Sequence, residues 1–135
     1  MKTEILKQKY IKYNLTKDDV FKHQHYIIIT RSGIEKIQAL ESVFISYKVI
    51  KCEPNFAVVH ANATKDSHTI ETFGSALKGE TYKDGNTNTW YVMEMAEKRA
   101  LSRAVLKLTG FYELGVFGED ESEEFKKKFT NYTKE

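Results

Sequence analysis

Three basic side chains are the residues of this sequence whose spacing most clearly suggests chemistry. Arg99, Arg103 and Lys107 follow one another at i, i+4 and i+8, which places side chains in one row on a helix. Like charges at this spacing cost about 0.2 to 0.5 kcal/mol per pair, and the row contains no acidic residue to offset them. The row therefore favours an anionic ligand. The alternative is that it is the solvated basic face of an ordinary helix.

The helix that positions this row is predicted over residues 89–110. Asn88 or Thr89 can cap its start, and Gly110 can supply a left-handed turn at its end. One broad apolar face is expected to pack on a sheet. Its members are Trp90, Met93, Ala100, Leu101, Ala104, Val105 and Leu108. Apolar residues also flank the basic row, which predicts a second partner for the helix, either a neighbouring subunit or a groove.

Length and composition bound the possible classes of protein. A chain of 135 residues with 41% hydrophobic residues is expected to form one domain. Residues 1–112 hold 17 Lys and Arg against 12 Asp and Glu, which gives +5, whereas residues 113–135 hold 4 against 7, which gives −3. The single cysteine, Cys52, excludes an internal disulfide and fits a reducing cytoplasm. We expect neither a signal peptide nor a membrane span.

The first half of the chain predicts an arm followed by a strand and a helix. Residues 1–15 form an N-terminal arm. Its apolar side chains lie among lysines in residues 1–13 and suit a short amphipathic arm or helix, which can pack on a neighbouring subunit. Thr16 with Asp18 and Asp19 resembles a helix start. Residues 26–30 form a strand-like run, and Ser32 with Glu35 forms a capping-box pattern before a helical repeat of apolar residues.

From Phe44 onwards the apolar pattern has a period of two. Residues 44–52, 55–64 and 69–77 predict an antiparallel three-stranded β-meander, in which small residues on the second strand let a helix lie close. The fold class is therefore α+β, with the meander packed on one long helix and preceded by a strand-helix unit. The domain is expected to span residues 16–112. Residues 113–135 form an acidic and then basic tail, which aromatic residues Phe111, Tyr112 and Phe117 attach to the surface or to a neighbour.

The sequence lacks the patterns of common catalytic sites. The segment GSALKGE lacks the Lys-Ser/Thr ending of a phosphate-binding loop, so ATP use is not supported. His23 and His25 form a pair that has no third metal ligand at usual spacing. Asp18-Asp19 and the acidic run 119–124 are candidate magnesium ligands of a nuclease, but acids at a helix start are more often caps. We therefore predict a binding protein, without enzymatic activity and without a cofactor.

The order strand, helix, meander, polar loop and long basic helix resembles that of the Rad-fifty-two-like single-strand annealing proteins, which include Sak-type phage recombinases. The segments YIIITRSGIEKIQAL and EMAEKRALSRAVLKLTG look like the opening and the main helix of that fold. The resemblance covers roughly residues 16–112. It implies a ring or helical homo-oligomer that binds single-stranded DNA and anneals complementary strands in recombination without ATP. It also implies a cytoplasmic location, that of the bacterial host if the protein is phage-encoded.

The resemblance assigns DNA-binding roles by position. Arg103 and Lys107 match the basic groove residues of the family, Arg99 matches more loosely, and Lys22 stands roughly where the family has another groove arginine. The full set of expected DNA-binding residues is Arg99, Arg103, Lys107, Lys98, Arg31, Lys22, Lys78 and Lys83. A partner exonuclease or a host single-strand-binding protein is a further implied partner.

The basic row and the aromatic residues are also compatible with other functions. The basic row can instead bind an acidic protein partner in a non-enzymatic oligomeric scaffold, and that partner can be segment 119–124 of a neighbouring subunit. A metal-dependent nuclease is the weaker alternative. Aromatic residues can stack on bases, but each is more readily explained by packing. The aromatic residues concerned are Tyr47, Tyr82, Trp90 and Tyr91.

Overall fold

The computed structural model describes residues 2–23, 26–78 and 91–121, and it has the predicted α+β architecture. Its helices are α1 (Lys2–Lys12), α2 (Arg31–Glu41) and α3 (Val92–Leu108). Its strands are β1 (Val20–His23), β2 (Tyr26–Ile29), β3 (Phe44–Glu53), β4 (Phe56–Lys65), β5 (His68–Leu77) and β6 (Val116–Gly118). Short 3₁₀ turns cover Tyr112–Leu114 and Glu119–Glu121.

The predicted meander is confirmed with boundaries within about a residue of those expected. Strands β3, β4 and β5 form one antiparallel sheet in that order. Alternate residues of β4, namely Ala57, Val59, Ala61 and Ala63, are buried on the face that contacts α3. Because these side chains are small, the helix lies close to the sheet, as the sequence predicted.

The contact between β5 and α3 leaves no room for larger residues. A Cβ atom built on Gly74 would lie 2.1 Å from the Ala96 carbonyl oxygen and 2.5 Å from the Ala100 nitrogen. The Thr72 hydroxyl donates a hydrogen bond of 2.8 Å to the Ala100 carbonyl. Gly74 is therefore required for backbone to pack directly on backbone.

The other side of α3 is covered by the same chain, which corrects the prediction of a subunit neighbour or groove. Strands β1, β2 and β6 form a second sheet, in which β6 runs parallel to β2. Gly118 of β6 approaches Ser102 of α3 so closely that an added Cβ would lie 2.7 Å from the Ser102 Cβ. The central helix therefore lies between two sheets.

The predicted arm and the start of the tail belong to the core of the domain. Leu6 of α1, Tyr13, Phe111 and Val116 are buried in one cluster with Ile29. The predicted helix alternative for the arm is confirmed, since α1 spans Lys2–Lys12. Leu6 and Tyr13 are buried within their own chain, whereas Ile5 and Ile11 are exposed. The aromatic attachment after Gly110 is confirmed in part, since the ring centroids of Phe111 and Tyr13 lie 5.9 Å apart and those of Phe117 and Tyr26 lie 5.6 Å apart.

Three helix starts differ from the sequence prediction. Thr16 and Asp19 close a turn, and β1 follows, because Val20 and Phe21 pair with the apolar residues of β2. Thr30 caps α2, with the Gly33 amide donating to its hydroxyl at 3.3 Å. The predicted cap, Ser32, donates to Asp19 instead. Helix α3 begins at Val92, while Asn88, Thr89 and Trp90 lie outside the described residues.

Candidate nucleic-acid interface

Arg99, the first member of the predicted basic row, is a buried structural residue. Its side chain is 1% exposed. Its guanidinium donates hydrogen bonds to two backbone carbonyls, through Nη1 to Ser75 at 2.8 Å and through Nε to Asp120 at 3.0 Å. Arg99 therefore links α3 to the edge of β5 and to the second 3₁₀ turn. The prediction that it faces an anionic ligand is wrong for this structure, because the helix is covered on both sides there.

Arg103, one turn later, lies at the rim of the sheet. Its Nη1 donates a hydrogen bond of 2.9 Å to the Phe73 carbonyl on β5, at an exposed position. The side chain is intermediate in exposure. Arg103 therefore lies at the edge of β5, with part of its side chain accessible.

Lys107 of α3 lines a cleft in which it meets basic residues of the β4–β5 hairpin. The cleft has a volume of about 330 Å³. Its lining residues are Lys65, His68, Thr69, Ile70, Lys107 and Leu108. Lys107 is exposed, and its ammonium lies 5.5 Å from the centre of the Tyr112 ring. Arg103, Lys107, Lys65 and His68 together form a surface that we call the basic strip.

Lys65 and His68 were missed by the sequence prediction, which interpreted residues 65–68 as a turn. They are paired across the β4–β5 hairpin, with Lys65 opposite His68. This pairing places both side chains at the end of the hairpin that lies nearest the C-terminus of α3. The position of Lys65 and His68 beside Lys107 depends on the direction in which β5 runs along α3. Together with the hairpin register, this direction would have identified both residues.

A partly buried carboxylate, that of Glu41, holds Lys65 in place. The Glu41 carboxylate lies 3.3 Å from the Lys65 ammonium and 3.1 Å from that of Lys12, and it accepts a hydrogen bond from the Tyr13 hydroxyl. The Tyr13 hydrogen bond, followed by those from the two lysines, lowers the pKa of Glu41 from 4.5 to about 2. Glu41 therefore connects α1, α2 and the basic strip through charge.

The lowered pKa of Glu41 predicts that the protein loses stability in acid. Because the folded-state pKa of Glu41 is depressed, its stabilising contribution is present above pH 4.5 and is lost as the pH falls towards about 2. Between pH 6 and pH 3, we expect the free energy of unfolding of the wild type to fall by about 2 kcal/mol more than that of Glu41→Gln. Urea unfolding at each pH measures this difference. Glu94→Gln, at an exposed site, serves as the control, and a wild-type profile parallel to that of Glu41→Gln would contradict the assignment.

The remaining predicted DNA-binding residues do not join the basic strip. The Arg31 guanidinium lies 3.6 Å from Glu35 and interacts electrostatically with Tyr47 at the β3 side of the domain. Lys22 lies on β1, in the second sheet. Lys78 follows β5 at the end away from the cleft, where its amide donates to the Asn55 carbonyl. Lys98 lies on α3 before Arg99, and Lys83 is outside the described residues.

The other candidate chemistries find no support in the described residues. Residues 2–23, 26–78 and 91–121 contain no group of three or more His, Cys, Asp or Glu side chains that could hold a metal ion. His25 and the side chain of His23 lie outside this description, as do Tyr82 and residues 122–124 of the acidic run 119–124. Within the same ranges, none of the helices combines the length and apolar character that a membrane crossing requires.

Comparison of the chain with protein-family models, with curated proteins and with solved structures found no match. The site is therefore interpreted from its own geometry.

Proposed function

We propose that this protein binds single-stranded DNA along the basic strip and anneals complementary strands without ATP. The observation that carries the proposal is the cleft in which Lys107 of α3 meets Lys65 and His68 of the β4–β5 hairpin. Arg103 extends this surface along the edge of β5. Four basic side chains from α3, β4 and β5 suit a linear polyanion better than they suit a single small anion.

The chemistry of the strip fits strand annealing. Annealing requires that the protein hold phosphates while base edges stay free to pair. Contacts from arginine and lysine side chains to phosphate oxygens carry no sequence information. A strip of this type is therefore expected to bind strands of any sequence.

The proposed active form is a homo-oligomer in the cytoplasm. One strip offers few phosphate contacts, so a single subunit is expected to bind DNA weakly. Several linked strips raise the effective concentration of each binding site for the same strand. An exonuclease that produces single strands, or a host single-strand-binding protein, is the partner that this proposal implies.

Direct binding tests the proposal. Fluorescence anisotropy of a labelled single-stranded oligonucleotide, measured at several salt concentrations, is expected to show saturable binding. The logarithm of the binding constant should fall linearly with the logarithm of the salt concentration. Absence of binding at low salt would refute the proposal. Equal affinity for duplex and single-stranded DNA would show that the protein does not distinguish single strands from duplex, which would also contradict the proposal.

A second candidate function is a scaffold whose basic surface contacts acidic protein segments. One contact within the chain favours it, because the Glu41 carboxylate lies 3.3 Å from the Lys65 ammonium of the basic strip. This candidate predicts that Arg103→Glu changes the size of the assembly and leaves DNA binding unaffected, whereas the annealing proposal predicts the opposite.

A further inference from the structure

The outer face of the meander, opposite α3, exposes aromatic side chains. Residues on β4 alternate, so that Ala57, Val59, Ala61 and Ala63 face the helix while their neighbours face outwards. On this outer side Phe44 is 70% exposed and Phe73 is 53% exposed. Singly exposed apolar residues are common on protein surfaces, so a binding role depends on the groups that surround them.

One row across the three strands combines cationic and aromatic groups. Lys48 on β3 is opposite His60 on β4, and His60 is opposite Phe73 on β5. The His60 and Phe73 rings lie 4.8 Å apart, at an interplanar angle of 49°. We call Lys48, His60 and Phe73 the aromatic row.

Positive charges lie at both ends of the aromatic row. Within the described part of the chain, Lys48 makes no salt bridge. At the other end, Arg103 binds the backbone carbonyl of Phe73 itself. The acidic groups of this face are engaged, since Glu71 lies 2.8 Å from His60 Nε2 and Glu53 lies 3.5 Å from Lys51. The aromatic row is therefore continuous with the basic strip through Arg103.

We propose that bases of the bound single strand stack on Phe73 and His60, while Lys48 and Arg103 hold the phosphates on either side. This inference rests on the proposed function and specifies how the strand is held. Every base has a π-face, so stacking on aromatic side chains is independent of sequence. Cations that flank an exposed ring suit a polyanion with aromatic bases better than an apolar protein surface.

The test compares two ligands that have the same charge. A thymidine oligonucleotide and an abasic oligonucleotide of equal length carry the same phosphates, but only the first has bases to stack. The wild type is expected to bind the thymidine strand about 5- to 100-fold more tightly than the abasic strand. Phe73→Ala is expected to lose most of this preference and to keep its affinity for the abasic strand. Phe73→Leu, which keeps the apolar bulk, should behave in the same way.

Phe21→Ala is the matched control, because Phe21 is an exposed phenylalanine on the other sheet. It should keep the wild-type preference. Equal wild-type binding of both strands would overturn the stacking proposal and leave the phosphate-binding strip intact. Binding of neither strand would overturn the proposed function as well. If Phe73→Ala keeps the preference and instead changes the sedimentation coefficient, the outer face is a protein interface and the stacking proposal is wrong.

Discussion

Replacing both Arg103 and Lys107 by glutamate is expected to weaken single-stranded DNA binding by about 100-fold or more at low salt. The change removes two phosphate contacts and adds two repulsive charges to the basic strip. Both residues are at accessible positions, so the fold should be retained. Anisotropy titrations measure the affinity, and the salt slope of the remaining binding should be smaller by about two phosphate contacts.

A charge-matched control separates the effect of charges in the basic strip from the effect of the protein's net charge. Lys7→Glu with Lys17→Glu makes the same change in net charge at two exposed positions outside the strip. This control is expected to bind DNA within about threefold of the wild type, because the strip acts at contact distance and distant charges are screened. Equal losses in the two double variants would show that only net charge matters. Wild-type affinity in a folded Arg103→Glu, Lys107→Glu variant would remove the strip from the account.

Replacing Arg99 by methionine is expected to destabilise the domain by about 3 to 5 kcal/mol. Methionine has a similar length but donates no hydrogen bond. The carbonyl oxygens of Ser75 and Asp120 would therefore lose a donor that the buried Arg99 supplies at a partly buried position. Urea unfolding of the wild type and the variant measures the difference. A variant that does not fold at 25 °C agrees with this expectation.

Arg103→Met provides the comparison at the next turn of the helix. Its guanidinium also binds a β5 carbonyl, but at an exposed position where water can replace it. We expect a loss below about 1 kcal/mol. If Arg99→Met is as stable as Arg103→Met, the two arginines contribute equally to stability. The structural role assigned to Arg99 is then wrong.

The larger part of the fold follows from local patterns in the sequence. Period-two alternation in residues 44–77 is sufficient to place β3, β4 and β5. Good helix formers and a terminal glycine define the end of α3, where Gly110 adopts a φ of +82°. The second sheet could not be predicted in the same way. Strand β6 has three residues and pairs in parallel with β2, which is distant in sequence, so it has no periodicity of its own.

This second sheet explains why Arg99 was assigned to the wrong environment. Helical spacing shows that Arg99, Arg103 and Lys107 share a row, but the depth of each residue depends on what covers the helix. The turn at Glu119–Glu121 covers Arg99, whose Nε donates to the Asp120 carbonyl. Lys65 and His68 were missed for a related reason, since their position depends on the hairpin that approaches α3 from another part of the chain.

The most direct test of the central claim is the annealing rate of two complementary fluorescent oligonucleotides, with and without the protein, in a chelator and without nucleotide. The account predicts a large acceleration that decreases as salt is added and that is lost in the Arg103→Glu, Lys107→Glu variant. An unchanged rate in the presence of folded wild-type protein at low salt would contradict the claim.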